Sequence, residues 1–480
     1  MDLRPVFYVI GVFLCILASS MTLPMLADLY TASPDWKVFF LCIVITAFFG
    51  GSLVLSNSGQ KFDISVRQAF LLTVLSWLII CIFGALPFYM SELDMSFTDS
   101  FFESMSGITT TGATVITGLD HAPKGILLWR GMLHFLGGLG FIVMGISVLP
   151  MLKVGGMRLF RTESSEREKA LPRAAQTANS ITAIYFFLVL LCTICLMLSG
   201  LGPFDALVHA MGALATGGFS NYDQSIGAFK NPLTEIVLII FMIAGALPFI
   251  LYIRAFKGSL TPLYKDTQIR AFLIMILIVS LIMAADLILS QDAGLFDALR
   301  RALFHVTSLI TTTGMVSEDY MMWGPLALSL FFFITFIGGC SGSTSGGIKV
   351  FRFQVLFSVM NVQIKRLLHP HGVFIPYYNA KPIPRDVPGS VMGFFFVYIL
   401  VFALAVVGLS FTSLDFTTAM SAVIACLSNA GPGLGTIVGP AGTYQPLSDT
   451  ATWILSLCML LGRLELFTLL ILLSPHFWRH

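Results

Sequence analysis

A seven-residue stretch, Ser106-Gly107-Ile108-Thr109-Thr110-Thr111-Gly112, returns as Ser308-Leu309-Ile310-Thr311-Thr312-Thr313-Gly314 with six of seven residues unchanged. Two looser copies exist, Ala215-Thr216-Gly217-Gly218 and Ser428-Asn429-Ala430-Gly431-Pro432-Gly433. Such a recurrence constrains the fold before any local signal does, because each copy must be one structural unit packed against the others. The chain therefore reads as four units of about a hundred residues, centred on Gly112, Gly217, Gly314 and Gly431. Each copy lies behind an Asp (Asp99, Asp205, Asp297 or Asp415) and a mostly apolar run, which predicts a short helix capped by that Asp.

Apolar runs of some twenty residues separate the copies, and the chain is 56% hydrophobic and 11% charged. Ordinary soluble domains carry about 25% charged residues, so the chain is read as an integral membrane protein. The runs do not alternate polar with apolar residues, which favours helices over a barrel. Ten crossings are expected, at 6–30, 38–56, 69–92, 126–152, 178–200, 234–255, 271–291, 323–363, 390–412 and 450–474. Each motif falls between two of them, so the unit is helix, re-entrant loop, helix. The expected fold is an all-α integral membrane protein with four pseudo-repeated helix/pore-loop/helix units around a central pore. Two extra N-terminal transmembrane helices occupy 1–60, and the units are placed at 61–157, 158–258, 259–370 and 371–480.

The eighth run would extend ~60 Å as one helix, twice what a bilayer needs, and must break. The break is expected at Gly338–Gly347, where nine of ten residues are Gly, Ser or Thr and the other is Cys340. Unwound backbone at mid-membrane marks an ion or substrate path, or else a flexible hinge.

Lys and Arg set topology. Twenty of the 27 fall on one side, in loops around Arg4, Lys61 and Arg67, Lys153–Arg173, Arg254–Arg270, Lys349–Arg385 and Arg479. This side is expected to be cytoplasmic, with both termini inside and every motif dipping in from the external face. The segments 153–173, 254–270 and 349–385 carry sixteen of these cations, enough to dock an acidic or nucleotide-binding partner, although topology alone accounts for most of them. Arg463 and Glu465 lie mid-span; two residues apart, they do not face each other on a helix, which predicts separate partners. The eight cysteines read as small core residues, the Cys192-x-x-Cys195 pair included. His134, His209 and His305 are expected to be packing or capping residues.

Irregular backbone at membrane depth is tolerated only where it is buried in protein or lines water. Thr-Thr-Gly supplies carbonyls and hydroxyls without charge, and Gly permits the dihedrals that turn successive carbonyls toward an axis. A ring of such oxygens can replace the hydration shell of a monovalent cation, with the negative ends of the short helices aimed at it. The plainer reading is that Thr and Gly merely let helices pack closely. Four copies, each between two spans, favour the pore. No nucleophile–base pair, metal-ligand cluster or paired-carboxylate site suggests an enzyme.

At these residues the chain resembles the Trk/Ktr family of potassium uptake proteins, pseudo-tetrameric relatives of potassium channels. The likeness covers the four loops, Phe336–Gly347, Leu461–Glu465 and the ending Leu-Leu-Ser-Pro-His-Phe-Trp-Arg. The two extra N-terminal spans place it with the TrkH-like branch. The resemblance implies a potassium filter at Thr110, Thr111, Gly112, Thr216, Gly217, Thr312, Thr313, Gly314, Asn429, Ala430 and Gly431. It implies a gating loop using Gly338, Gly339, Gly342, Ser343, Thr344, Gly346 and Gly347, contacted by Arg463. Ser345 stands where the family has Gly. Potassium uptake across the bacterial inner membrane is the implied function, by a homodimer in lipid, regulated by a TrkA-type cytosolic nucleotide-binding protein. Proton- or sodium-coupled potassium symport is the alternative.

Overall fold

The computed structural model describes residues 2–59, 65–147 and 170–479. Lys61, the basic residues Lys153, Arg158, Arg161, Arg167 and Lys169, and the expected boundaries at 60–61 and 157–158 lie outside the described residues. Among the described residues the only strands are Tyr377–Tyr378 and Lys381–Pro382, a short antiparallel pair; everything else that is regular is helix.

The four units are plain in the order of helices. The first is Val66–Met90, the half-helix Phe97–Ile108 and Lys124–Ser147; the second is Ala170–Leu198, the half-helix Pro203–Leu214 and Pro232–Ala246 continuing as Phe249–Phe256. The third is Thr267–Gln291, the half-helix Leu295–Ile310, then Pro325–Ile334 and Val350–Leu368. The fourth is Asp386–Ser410, the half-helix Phe416–Leu427, then Asp449–Arg463 and Phe467–Leu473. The N-terminal addition, Arg4–Tyr30 and Trp36–Asn57, packs on the first unit. Its two helices cross tightly, because a Cβ on Gly11 would sit 2.8 Å from Gly50 O. Asp28 then closes the contact, accepting the Gly125 N–H at 2.5 Å and so satisfying a free donor at the start of Lys124–Ser147.

Seven helices among the described residues are long and apolar enough to cross a bilayer, and two more spans are bent helix pairs. These bends correct the sequence reading, which treated 234–255 and 450–474 as continuous and placed a break only in the third unit. Pro232–Ala246 and Phe249–Phe256 meet at 98°. Pro248, with no N–H to donate, stands at the joint. Asp449–Arg463 and Phe467–Leu473 meet at 112°, turned by Glu465 (φ 59) and Leu466 (φ 57) in the left-handed region. The third-unit break is also longer than Gly338–Gly347, since helix stops at Ile334 and resumes at Val350.

The capping prediction held only in the fourth half-helix, where Asp415 accepts the Thr418 N–H. Asp99, Asp205 and Asp297 sit instead at the third helical residue, where their charge faces the positive helix end. Ser96 caps the first half-helix, accepting the Asp99 N–H at 3.1 Å.

The unbroken inner helix of the first unit depends on close packing at Gly137, where a Cβ would collide with Ile108 O at the end of the half-helix. Gly137→Ala is expected to lower the thermal midpoint of the detergent-purified protein by several degrees, consistent with an overpacking cost of about 1–3 kcal/mol. An unchanged midpoint would show that the two helices part without cost.

Candidate functional site

The four half-helices end alike. The last turn closes with paired bonds: Thr110 N to Gly107 O (3.1 Å) with Thr111 N to Ser106 O (2.8 Å), and Thr216 N to Ala213 O (3.2 Å) with Gly217 N to Gly212 O (2.9 Å). The third and fourth repeat it, as Thr312 N to Leu309 O (3.0 Å) with Thr313 N to Ser308 O (2.8 Å), and Asn429 N to Cys426 O (3.2 Å) with Ala430 N to Ala425 O (2.8 Å). This is the Schellman arrangement, which needs a left-handed residue just past the helix. Thr110, Thr216, Thr312 and Asn429 occupy it, with φ of 53, 51, 58 and 55°. A β-branched residue there is rare and costs about 1–2 kcal/mol, so strain is concentrated at the three threonines, whereas Asn429 adopts the conformation readily.

Two residues further on, Gly112, Gly218, Gly314 and Gly431 take φ of 84, 81, 75 and 90°. The second loop therefore aligns one residue later than the sequence reading had it: Gly218, not Gly217, is the counterpart of Gly112. The signal was available, because Asp205 precedes Gly218 by the same thirteen residues that separate Asp99 from Gly112. The structure brings together Thr110, Thr111 and Gly112; Thr216, Gly217 and Gly218; Thr312, Thr313 and Gly314; and Asn429, Ala430 and Gly431.

These loops form a closed ring in chain order. A Cβ on Gly112 would meet Gly217 O, one on Gly218 would meet Thr313 O, one on Gly314 would meet Ala430 O, and one on Gly431 would meet Thr111 O at 2.6 Å. Each glycine thus faces the carbonyl of the next loop's middle residue, and the fourth returns to the first. The threonine side chains turn back into the wall, Thr111 Oγ1 onto Thr109 Oγ1 (2.8 Å) and Thr313 Oγ1 onto Thr311 Oγ1 (2.7 Å). Asn429 Nδ2 donates to Thr111 Oγ1 at 3.0 Å, tying the last loop to the first. On one side of the ring opens a vestibule touched by Gly112, Gly218, Gly314 and Gly431 and lined beyond them by Tyr222, Asp223 and Tyr444.

The third-unit break lies against the other side. Its backbone is held by the break of the second unit, with Cys340 N donating to Ala246 O (3.0 Å), Thr344 N to Gly245 O (3.2 Å) and Phe249 N to Gly342 O (2.9 Å). Carbonyls left free by one broken helix are satisfied by the other. Gly346 N donates to Thr312 Oγ1 at 2.7 Å, and a Cβ on Gly346 would collide with Ser428 O. Thr344 is the centre of this contact: its hydroxyl lies 2.9 Å from both Leu214 O and Gly245 O and 3.2 Å from Thr216 Oγ1. Gly338 and Gly339 meet the far end of the segment, where Gly338 N bonds Ile348 O (3.0 Å) and Gly339 N bonds Ser345 Oγ (2.6 Å), a contact that Gly at 345 would lack. Ser343 Oγ bonds back to Cys340 O at 2.6 Å, and Gly342 and Gly347 take left-handed φ of 77 and 63°.

Arg463 is fully buried and donates to Thr344 O at 2.8 Å, with its guanidinium 3.9 Å from the centre of the Phe141 ring. Glu465 pairs instead with Arg352, so the two charges have separate partners, as expected. Lys349 and Arg352, counted from the sequence as cytoplasmic loop cations, are buried at 2% and 0% exposure, and Lys349 Nζ bonds Ser345 O. Phe141 was missed as a neighbour of this site, where its ring lies against Arg463 and Lys349.

The three histidines are held through both ring nitrogens. His134 bonds Gly107 O (2.8 Å) and accepts the Phe219 N–H (3.1 Å); His209 bonds Asp205 O and Ser220 Oγ; His305 bonds Arg301 O and accepts the Ser317 N–H. An Nε2 that accepts a backbone N–H leaves the proton on Nδ1, the neutral form. No group of His, Cys, Asp and Glu among the described residues is arranged to hold a metal, Cys192 and Cys195 included. What the ring offers an ion is uncharged oxygen at four equivalent positions, with four helix C-termini behind it.

The family model for TrkH, described as a cation transport protein, matches residues 36–479. The chain is 43% identical to the Trk system potassium uptake protein TrkI of Halomonas elongata, over 99% of this chain and 97% of that one. It is 38% identical to the Trk system potassium uptake protein TrkH of Vibrio parahaemolyticus, with both chains covered in full. The crystal structure of the potassium transporter TrkH from Vibrio parahaemolyticus superposes with a TM-score of 0.92 over 100% of both chains, at 36% identity.

Proposed function

The chain belongs to the TrkH family of cation transport proteins, transporters rather than enzymes, and from that premise we propose that it takes up potassium through a channel-like path along the axis of its four units. The observation that carries this reading is the closed ring of glycines and carbonyls, which repeats one backbone conformation four times. In it the filter consists of Thr110, Thr111, Gly112, Thr216, Gly217, Gly218, Thr312, Thr313, Gly314, Asn429, Ala430 and Gly431, whose carbonyls stand in for the water around potassium. The vestibule is the external entrance, and the 335–349 segment beneath the ring is the gate, pinned by Arg463. The protein lies in the bacterial inner membrane with both termini cytoplasmic, as a homodimer. A TrkA-type nucleotide-binding protein docks on its basic cytoplasmic segments and draws the gate aside through Val350–Leu368.

Coupled symport is the second reading. It needs a titratable or sodium-binding group on the path, and the histidines near the ring are committed to hydrogen bonds through both nitrogens. Current–voltage measurement on the purified chain in liposomes tests the choice. A reversal potential that follows the potassium gradient alone, unmoved by pH or sodium gradients, is expected; a shift with either would establish coupling.

A further inference from the structure

The residue nine positions before each ring glycine is Glu103, His209, His305 and Ala422 in the four units. The first three are at most 1% exposed, and each reaches the chain as it leaves the ring. Glu103 Oε2 accepts the Val115 N–H at 3.0 Å, and His305 Nε2 accepts the Ser317 N–H at 3.3 Å. Val115 and Ser317 each stand three residues past their glycine, so two chemically different side chains hold the same backbone atom in two units. His209 Nε2 reaches the same stretch through a side chain, contacting Ser220 Oγ, two residues past Gly218, at 2.9 Å. Where Ala422 has nothing to offer, Tyr444 takes over: its hydroxyl donates to Gly431 O at 2.8 Å and its N–H to Thr114 O at 2.9 Å.

Arg130 joins the first two of these holds. Its Nε donates to Glu103 Oε1 (2.8 Å), Nη2 to Thr114 Oγ1 (3.2 Å) and Nη1 to Ser220 O (2.6 Å), while the guanidinium lies 4.0 Å from the centre of the Phe219 ring. One rigid fork therefore spans the exits of two neighbouring loops. A buried ion pair adds little net stability over an apolar replacement, which leaves geometry as its contribution. The ring's carbonyls come from different units, so their mutual distances depend on such ties.

We propose that Glu103 with Arg130, His209 and His305 are positioning residues that set the spacing of the four-loop ring, and through it the discrimination among monovalent cations. The proposal rests on the filter reading above. The test is the potassium-over-sodium permeability ratio of the full-length protein in liposomes, measured for wild type, His305→Phe and His305→Gln, with thermal midpoints recorded alongside. His305→Phe keeps an aromatic ring against Tyr320 and Trp323 but offers Ser317 no acceptor; His305→Gln restores one.

The ratio is expected to fall about fivefold in His305→Phe, the effect of losing the one buried hydrogen bond that reaches the ring exit, and to return close to wild type in His305→Gln. A wild-type ratio in His305→Phe overturns the proposal, and so does an equal fall in both variants, which would assign the effect to packing. Should His305→Phe fail to assemble, Arg130→Lys carries the test: it keeps the charge and loses the fork, so an unchanged ratio there overturns the proposal and a fall of similar size supports it. A wild-type protein with no preference for potassium sinks the filter reading itself, a different result from any of these.

Discussion

Gly218→Ser is expected to remove most of the preference for potassium over sodium while the protein still assembles. Gly218 holds φ at 81°, a conformation that costs an L-residue about 1–2 kcal/mol, and its Cβ position is already filled by Thr313 O. The obstacle is backbone of the neighbouring loop, and the atom displaced is one of the oxygens proposed to coordinate the ion. Gly112 and Gly314 are in the same position toward Gly217 O and Ala430 O, so Ser at either should act alike. Gly217 differs. Its Cβ would lie 2.7 Å from His134 Cδ2, outside the carbonyl ring, and its φ is not left-handed. Gly217→Ala should therefore disturb selectivity much less than Gly218→Ala, and bi-ionic reversal potentials for the pair check the order. If Gly217→Ala is the more damaging, the register drawn here for the second loop is wrong.

That register shows how far the sequence could be read. The repeat and three of the four loops were legible because Thr-Thr-Gly is retained whole in units one and three, and Gly431 is the first glycine after the half-helix in unit four. Unit two has two adjacent glycines, and local pattern cannot tell which takes positive φ; the distance from the half-helix start decides it. The bend at Leu464-Glu465-Leu466 was illegible for a different reason. None of these residues is Gly or Pro, and left-handed Glu465 and Leu466 are imposed by tertiary contacts, the pairing of Glu465 with Arg352 among them. The burial of Lys349 and Arg352 was not legible, because topology rules count cations without distinguishing a solvated loop from a buried mouth. Arg463 and Glu465 do have separate partners, but for another reason than helical spacing: the helix ends at Arg463 and Glu465 lies in the turn beyond it.

Shortening the 335–349 segment should have the largest effect on flux. With the segment in place, Thr344 is fixed to three units at once: Leu214 O and Gly245 O in the second, Thr312 of its own unit through Gly346 N, and Arg463 in the fourth. The Thr344 hydroxyl bonds Leu214 O, Gly245 O and Thr216 Oγ1, at about 1 kcal/mol per bond, while its backbone carbonyl accepts from Arg463, a charged donor contributing roughly twice that. Thr344→Val keeps the shape and removes the hydroxyl, so the docked-to-undocked ratio should fall about fivefold and flux should rise by a similar factor. Arg463→Ala removes the charged donor from Thr344 O and should raise flux at least as much, provided Phe141 and Trp77 close over the space. Deleting Ser343, Thr344 and Ser345 breaks every one of these bonds, including Gly339 N to Ser345 Oγ, and should exceed both. None of the three changes touches the carbonyl ring, so the potassium-to-sodium ratio should stay near wild type while radiolabelled rubidium uptake into liposomes climbs. A deletion variant that assembles yet carries no more rubidium than wild type would make the segment part of the permeation path or a spacer. Faster uptake with selectivity lost would mean that Thr216 and Thr312, which touch both the segment and the ring, make gate and filter one device.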